Sequence, residues 1–201
     1  FENNILNIKK QNLFRIEGFY DYKSYLRKII NSDKIHNKIY SLKKKNYILF
    51  KEKINFKPPG SRSDKLHQDI QGGWLKYASD FLSVVISVDK SDNENSNLIF
   101  DTSGNNIKYS ISKKMEKLSL KSLKKPKFKK FPLNSGDVIF FNGYIPHKSS
   151  KNLSNRNRTQ LYITYCNSKN KNTREKYFKD KLLSYPPNNL RDPKKKYIYK
   201  I

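Results

Sequence analysis

A single cysteine, Cys166, stands in a chain of 201 residues. One thiol cannot close an internal disulfide, so a disulfide-framed secreted scaffold is excluded and a reducing compartment, the cytoplasm, is expected. Cys166 falls in an apolar stretch and reads as core. No apolar run approaches the roughly 18 residues that a membrane-spanning helix requires. Neither a glycine-rich phosphate loop nor an internal repeat is present. Acidic residues are few, 17 against 43 basic, for a formal net charge of +26. Such an excess points first to nucleic acid. Arginine, the better reader of bases and phosphates, is scarce among those cations. The lysines run nearly end to end, beside much asparagine, isoleucine and tyrosine, as a codon bias toward A and T would give. They read as a solvated surface, and no specific nucleic-acid partner is expected.

The length fits one domain, residues 1–201, with a single core. The chain opens at Phe1 without a methionine, so a preceding segment is left open and targeting cannot be read. Alternation predicts strands over residues 13–20 and 47–56, the second stopped by Pro58-Pro59-Gly60. Between them, Tyr22, Tyr25, Leu26, Ile29 and Ile30 recur at helical spacing and predict a helix over 22–30. His36 lies in a polar stretch and is expected at the surface, and Lys43-Lys44-Lys45 as a solvated turn. Residues 81–89 form the clearest buried strand, followed by a turn over 92–97 and a strand over 98–100. Residues 113–130, rich in lysine with Met115, Leu118, Leu120 and Leu123 interleaved, are expected as an exposed excursion between strands. A strand over 138–141, another through Leu161-Tyr162-Ile163-Thr164-Tyr165, a helix over 175–183 and a lysine-guarded edge strand over 196–201 complete the pattern. Short strands joined by turns, with few helices, indicate a mainly β fold of the jelly-roll or barrel kind.

Chemistry concentrates around Leu66-His67-Gln68-Asp69. On extended backbone, side chains at i and i+2 leave on the same face, so the His67 imidazole and the Asp69 carboxylate can converge on one metal ion. That donor pair suits ferrous iron. Alone the pair is a weak signal, because histidines and acidic residues meet at this spacing by accident. Far downstream, His147 follows the turn-strand-turn pattern of residues 133–143, and Arg158 opens the next apolar run. His-x-Asp, a distant His and a following Arg make up a 2-His-1-carboxylate triad with an anchor for a dicarboxylate.

At this point the sequence resembles the phytanoyl-CoA dioxygenase family of iron(II)/2-oxoglutarate oxygenases. The resemblance covers residues 50–165. It rests on Asn55-Phe56-Lys57-Pro58-Pro59-Gly60, on His67-Gln68-Asp69, on Ser135-Gly136-Asp137-Val138, and on His147 through Asn152, Ser154 and Arg158. It implies a double-stranded β-helix, a cupin-like barrel, with His67, Asp69 and His147 as iron ligands and catalytic centre. It further implies 2-oxoglutarate and O₂ as co-substrates and hydroxylation of a C–H bond with release of succinate and CO₂. Arg158 would clamp the distal carboxylate, with Ser149 and Asn55 assisting; Arg156 is the competing clamp on the same face by period two. Gln71, Trp74 and Tyr77 would line the substrate pocket, Trp74 serving equally well as a rim anchor. Arg62 and Lys65 flank the mouth, where they can attract an anion. Asp69 is intact where halogenating relatives carry a small residue, which favours hydroxylation. The departure is at Asn97, where the family often has a glycine, and at residues 101–105, where a Gly-Ser-His follows the strand in the family. The substrate is expected to be small and polar or anionic, and the tail, Tyr177 through Lys181 and Tyr185-Pro186-Pro187 to Arg191-Asp192-Pro193, resembles that of relatives acting on small phosphonates. Two other classes stay open: a cupin-type metal-dependent hydrolase or isomerase, and a non-catalytic basic binding module.

Overall fold

The computed structural model describes residues 13–105 and 120–197. Their order is β1 (Arg15–Glu17), α1 (Ser24–Ile30), α2 (Asp33–Lys43), β2 (Ile48–Lys57), β3 (Asp64–His67), β4 (Phe81–Ser87), β5 (Leu98–Asp101), β6 (Phe128–Phe131), β7 (Val138–Asn142), β8 (His147–Ser149), β9 (Arg158–Cys166) and α3 (Thr173–Ser184). The strands form two antiparallel sheets, β1-β2-β9-β4-β7 and β3-β8-β5-β6. This is the jelly-roll arrangement, in which strands buried on one face and half-solvated on the other enclose a site between sheets.

Period two assigns the faces of the large sheet. Leu82 and Val84 of β4, with Leu161, Ile163 and Tyr165 of β9, turn outward and pack with Ile30, Ile35 and Ile39 of the two N-terminal helices. The alternate residues face the small sheet. Val85 and Tyr162 meet Leu98, Phe100 and Phe141 there. One end of the barrel is closed by Phe50, Ile70, Trp74, Phe81, Cys166 and Tyr177, the last contributed by α3. Gly143 permits that closure, since a Cβ there would lie 3.2 Å from both Ile70 and Phe81 side chains.

Most expected elements are present, with four differences. The strand expected over 13–20 is only Arg15–Glu17, because Gly18 turns the chain at a φ of 68°. Helix α2 was not expected at all. It presents only Ile35 and Ile39 to the core, too narrow a stripe to stand out among its polar neighbours, and His36 on it is half-buried with its ring edge-on to Tyr165. The excursion expected over 113–130 contains a strand, since Phe128–Phe131 pairs with β5. Met115 and Leu118 lie outside the described residues, as does most of the expected terminal strand; Lys196 and Tyr197 are in no strand. Cys166 is fully buried, which raises its thiol to about 11 and keeps it unreactive.

Candidate metal centre

His67 closes β3, and His147 opens β8 directly opposite it in the register. Gln68 is extended, and Asp69 starts the tight 3-10 turn Asp69–Gly72. The i and i+2 side chains therefore leave together, and the strand pairing delivers the third group. Ligand atoms of His67, Asp69 and His147 all lie within 4.8 Å of one another. Asp69 Oδ1 is 3.9 Å from His67 Nε2 and 3.8 Å from His147 Nε2.

Backbone geometry sets the ring tautomers. His67 Nδ1 sits 2.7 Å from the Lys65 carbonyl and His147 Nδ1 2.9 Å from that of Ile145. Each carbonyl can only accept, so each Nδ1 carries the proton and each Nε2 offers a lone pair toward Asp69. Burial, with His67 alongside, brings His147 down to about 4 and keeps it neutral. Phe100 stacks on the His147 ring and Phe141 meets it edge-on, holding its plane. Burial would raise the Asp69 carboxyl, but the cations around it, His147 once protonated at low pH and Lys53 and Lys51 above that, outweigh burial and hold it below its ordinary value. Ser83 Oγ donates to Asp69 Oδ2 at 3.0 Å, leaving Oδ1 for the histidine side. Two neutral imidazoles and one carboxylate on a common point fit a six-coordinate ferrous ion with three positions left over. Ser83 escaped the sequence reading; its signal is a serine inside an otherwise apolar strand.

Arg158 begins β9 opposite Lys57 and is fully buried. It donates to the Ser96 carbonyl, the Ser96 hydroxyl and Gln160 Oε1, at 3.1, 3.2 and 2.6 Å. None of these acceptors is a carboxylate, so the guanidinium charge is buried without a formal counter-ion among the described residues. Three of its five N–H groups are engaged by these bonds, and the Tyr162 hydroxyl is a further hydrogen-bond neighbour. Gln160, held also by the Tyr162 hydroxyl at 2.9 Å, has a buried Nε2 with no hydrogen-bond partner among the described residues. Arg156 lies apart, an exposed loop residue paired with Asp92 and Glu94.

The remaining expected site residues are scattered. Ser149 is buried, accepts from Lys57 Nζ at 2.6 Å and donates to Asp64 Oδ2. Asn55 Oδ1 accepts from Arg15 Nε at 3.0 Å, on the face of β2 that also carries Lys51, Lys53 and Lys57. Gln71 is spent on the turn, its Oε1 accepting from the Gln68 N–H. Trp74 is 3% exposed between Phe50 and Phe81, inside the barrel end and not on a rim. Tyr77 donates its hydroxyl to Asp180, as does the Lys76 ammonium. Arg62 and Lys65 are exposed beside the first ligand.

A family model described as phytanoyl-CoA dioxygenase matches residues 6–160. The chain belongs to the phytanoyl-CoA dioxygenase family. Among its relatives in that family, the 2-aminoethylphosphonate dioxygenase of an uncultured bacterium, HF130_AEPn_1, is 32% identical over 176 residues, covering 87% of this chain and 67% of the relative. The methylphosphonate hydroxylase of Gimesia maris is 29% identical over 171 residues, covering 85% and 65%. The chain thus spans about two thirds of the length of both. Among solved structures, the epimerase SnoN in complex with Fe3+, alpha ketoglutarate and nogalamycin RO aligns at a TM-score of 0.69 and 14% identity, covering 98% of this chain and 82% of that one. EctD from S. alaskensis with 2-oxoglutarate and 5-hydroxyectoine gives 0.62 and 15%, covering 76% and 55%. The fold is that of the iron- and 2-oxoglutarate-dependent oxygenases. No helix among the described residues is long and apolar enough to cross a membrane.

Proposed function

We propose that this phytanoyl-CoA dioxygenase family member, taken as one domain over residues 1–201, hydroxylates a C–H bond of a small anionic molecule, a phosphonate, using iron(II), 2-oxoglutarate and O₂. The observation that carries this reading is the pair of imidazoles whose Nδ1 protons are committed to carbonyls while both Nε2 atoms aim at one oxygen of Asp69. His67, Asp69 and His147 would hold the iron, which when bound activates O₂ against 2-oxoglutarate to oxidise the substrate and yield succinate and CO₂.

The protein's own part is placement. Arg158, rigid in its cradle of Ser96, Gln160 and Tyr162, presents its remaining N–H edge to the distal carboxylate of 2-oxoglutarate. Its fixed position spares the ordering entropy that a flexible lysine would lose. Phe100 and Phe141 shield the imidazole of His147 from water. Arg62 and Lys65, exposed at the mouth, raise the local concentration of an anion. The phosphonate assignment draws on the activities of the two phosphonate-oxidising relatives together with the basic surroundings of the site. A cupin-type hydrolase or isomerase would have no use for the buried guanidinium. Work in the cytoplasm is inferred from the single buried thiol.

The deciding experiment is anaerobic iron(II) and 2-oxoglutarate titration, followed by succinate measurement after oxygen is admitted with a panel of phosphonates, carboxylates and acyl thioesters. Succinate release coupled to phosphonate hydroxylation is expected. Iron binding without any 2-oxoglutarate affinity would defeat the oxygenase reading.

A further inference from the structure

Beside the metal centre, β2 carries a row of three lysines with very different surroundings. Lys57 is fully committed: its ammonium pairs with Asp64 at 2.9 Å and bonds the Ser149 hydroxyl and the Arg62 carbonyl. Lys51 is 4% exposed yet donates a single hydrogen bond among the described residues, to the Tyr177 hydroxyl at 3.1 Å. Its ammonium otherwise lies over the rings of Trp74 and Tyr177, at 4.9 and 5.2 Å from their centroids. Lys53 projects over Tyr162, 4.7 Å from the ring centre, and makes no hydrogen bond or ion pair among the described residues. Neither ammonium has a carboxylate within salt-bridge distance among those residues, although both charges are felt at Asp69, and Glu17, opposite Lys53 in the β1–β2 register and paired with Lys181, feels that of Lys51.

We propose that Lys51 and Lys53 form the anion subsite of the substrate, and that the group they hold is a doubly charged phosphonate. This rests on the oxygenase reading above and adds where the substrate's charge is placed. Burying an ammonium with no carboxylate in contact costs several kcal/mol, and Glu17 is already paired with Lys181, so a fold that keeps two such lysines side by side is complementary to something anionic. Burial and the neighbouring Arg15 and Lys51 bring Lys53 down to about 7, which a bound anion would reverse. Residues at i and i+2 share a face about 7 Å apart, so the two ammonium groups can straddle one tetrahedral dianion. A carboxylate, with a single charge, satisfies only one of them.

The far carboxylate of 2-oxoglutarate is served elsewhere. Lys53 lies opposite Tyr162 and Lys57 opposite Arg158. Those two stations are four residues apart along β9, or about 13 Å. One five-carbon diacid anchored at Arg158 does not need the second station, which leaves Lys51 and Lys53 for the other reactant. The apolar end of the site, Trp74 with Phe81, closes behind them.

The test uses the iron-loaded protein with 2-oxoglutarate under anaerobic conditions and calorimetric titration of 2-aminoethylphosphonate and methylphosphonate. Variants are Lys51→Met, Lys53→Met and Lys53→Arg, each checked by its thermal midpoint and by its 2-oxoglutarate affinity. Phosphonate affinity is expected to fall at least tenfold in both methionine variants and to be largely kept in Lys53→Arg. The affinity for 2-oxoglutarate should stay within twofold throughout. The carboxylate analogue 3-aminopropanoate should bind the unaltered protein at least tenfold more weakly than 2-aminoethylphosphonate. Unchanged phosphonate affinity in the Lys53→Met protein overturns the proposal, as does a loss of 2-oxoglutarate affinity equal to the phosphonate loss. If Lys51→Met does not fold, the two Lys53 variants decide the matter. Failure of the unaltered protein to bind iron or 2-oxoglutarate would instead sink the oxygenase reading, and phosphonate titration of the metal-free variants would still judge the lysine pair.

Discussion

Ser83 Oγ lies 3.0 Å from Asp69 Oδ2, the carboxylate oxygen opposite the one that both histidine Nε2 atoms approach. The bond fixes the carboxylate plane from β4, a strand in the other sheet from the two histidines. Outer hydrogen bonds of this kind typically govern metal affinity by 10- to 100-fold. Ser83→Ala is therefore expected to weaken iron(II) binding by roughly tenfold, whereas His67→Ala, Asp69→Ala and His147→Ala should each abolish it. His36→Ala, on a helix outside the barrel, should change nothing. Competitive chelator titration under argon reads all five, and unaltered affinity in the His147 variant would remove it from the ligand set.

Arg158 and Arg156 are separated by one residue and by an entire environment. The first is wholly buried, the second is an exposed member of a loop ion-pair cluster. Loss of a bidentate, charge-assisted pair from a buried site costs about 2–4 kcal/mol, or roughly 30- to 1,000-fold in affinity. Arg158→Ala should lose that much 2-oxoglutarate affinity, with Arg156→Ala indistinguishable from the parent. Equal losses in the two variants would mean that the loop, and not the buried cradle, holds the co-substrate.

Half of the metal cluster was legible because its determinants are local. His67 and Asp69 flank one extended residue, so spacing alone brings those two together, whereas His147 joins them through the β3–β8 pairing and was singled out by the family resemblance. Arg158 was singled out by the same resemblance, as the first residue of an apolar run. Helix α2 was not, because only Ile35 and Ile39 reach the core and its remaining positions are polar and solvated. Strand β6 was hidden by lysines that pair through backbone while their side chains stay exposed. Ser83, Gln160 and the burial of Lys51 depend on which strands become neighbours across the barrel, and no local pattern encodes that. Trp74 illustrates the same point: its residue type suits a rim or a pocket equally, and only packing against Phe50 and Phe81 distinguishes them.

The C-terminal helix is tied to the large sheet by a buried ion pair. Arg174 meets the fully buried Glu52 through Nε and Nη2 at 3.0 and 2.7 Å, and its Nη1 reaches Asp21 at 2.8 Å. Removing the arginine would leave the Glu52 carboxylate with the Tyr20 N–H as its other bond. Breaking one half of such a pair costs about 3–5 kcal/mol. Arg174→Ala should lower the thermal midpoint by roughly 10 °C. A shift within a degree or two would mean that water enters and solvates Glu52.

Glu17 gives the fold an acid-sensitive joint between β1 and α3. Burial alone would raise its carboxyl, but Lys51, Lys181 and Arg15 outweigh burial and bring it from 4.5 to about 2. Lys181, from α3, is its direct ion-pair partner. The unfolded chain thus binds the proton before the folded one does as pH falls. The stabilisation, about 3 kcal/mol by linkage, is complete above pH 4.5 and is lost as pH drops toward 2. Glu17→Gln removes the charge at every pH. Its stability deficit relative to the parent should therefore be near full size at pH 6 and shrink steadily below pH 4.5. Denaturant midpoints of the two proteins at pH 6, 4, 3 and 2.5 measure that gap. A gap that stays constant across the series would show that the carboxyl titrates alike in both states and that its three cations do not act on it as the folded geometry requires.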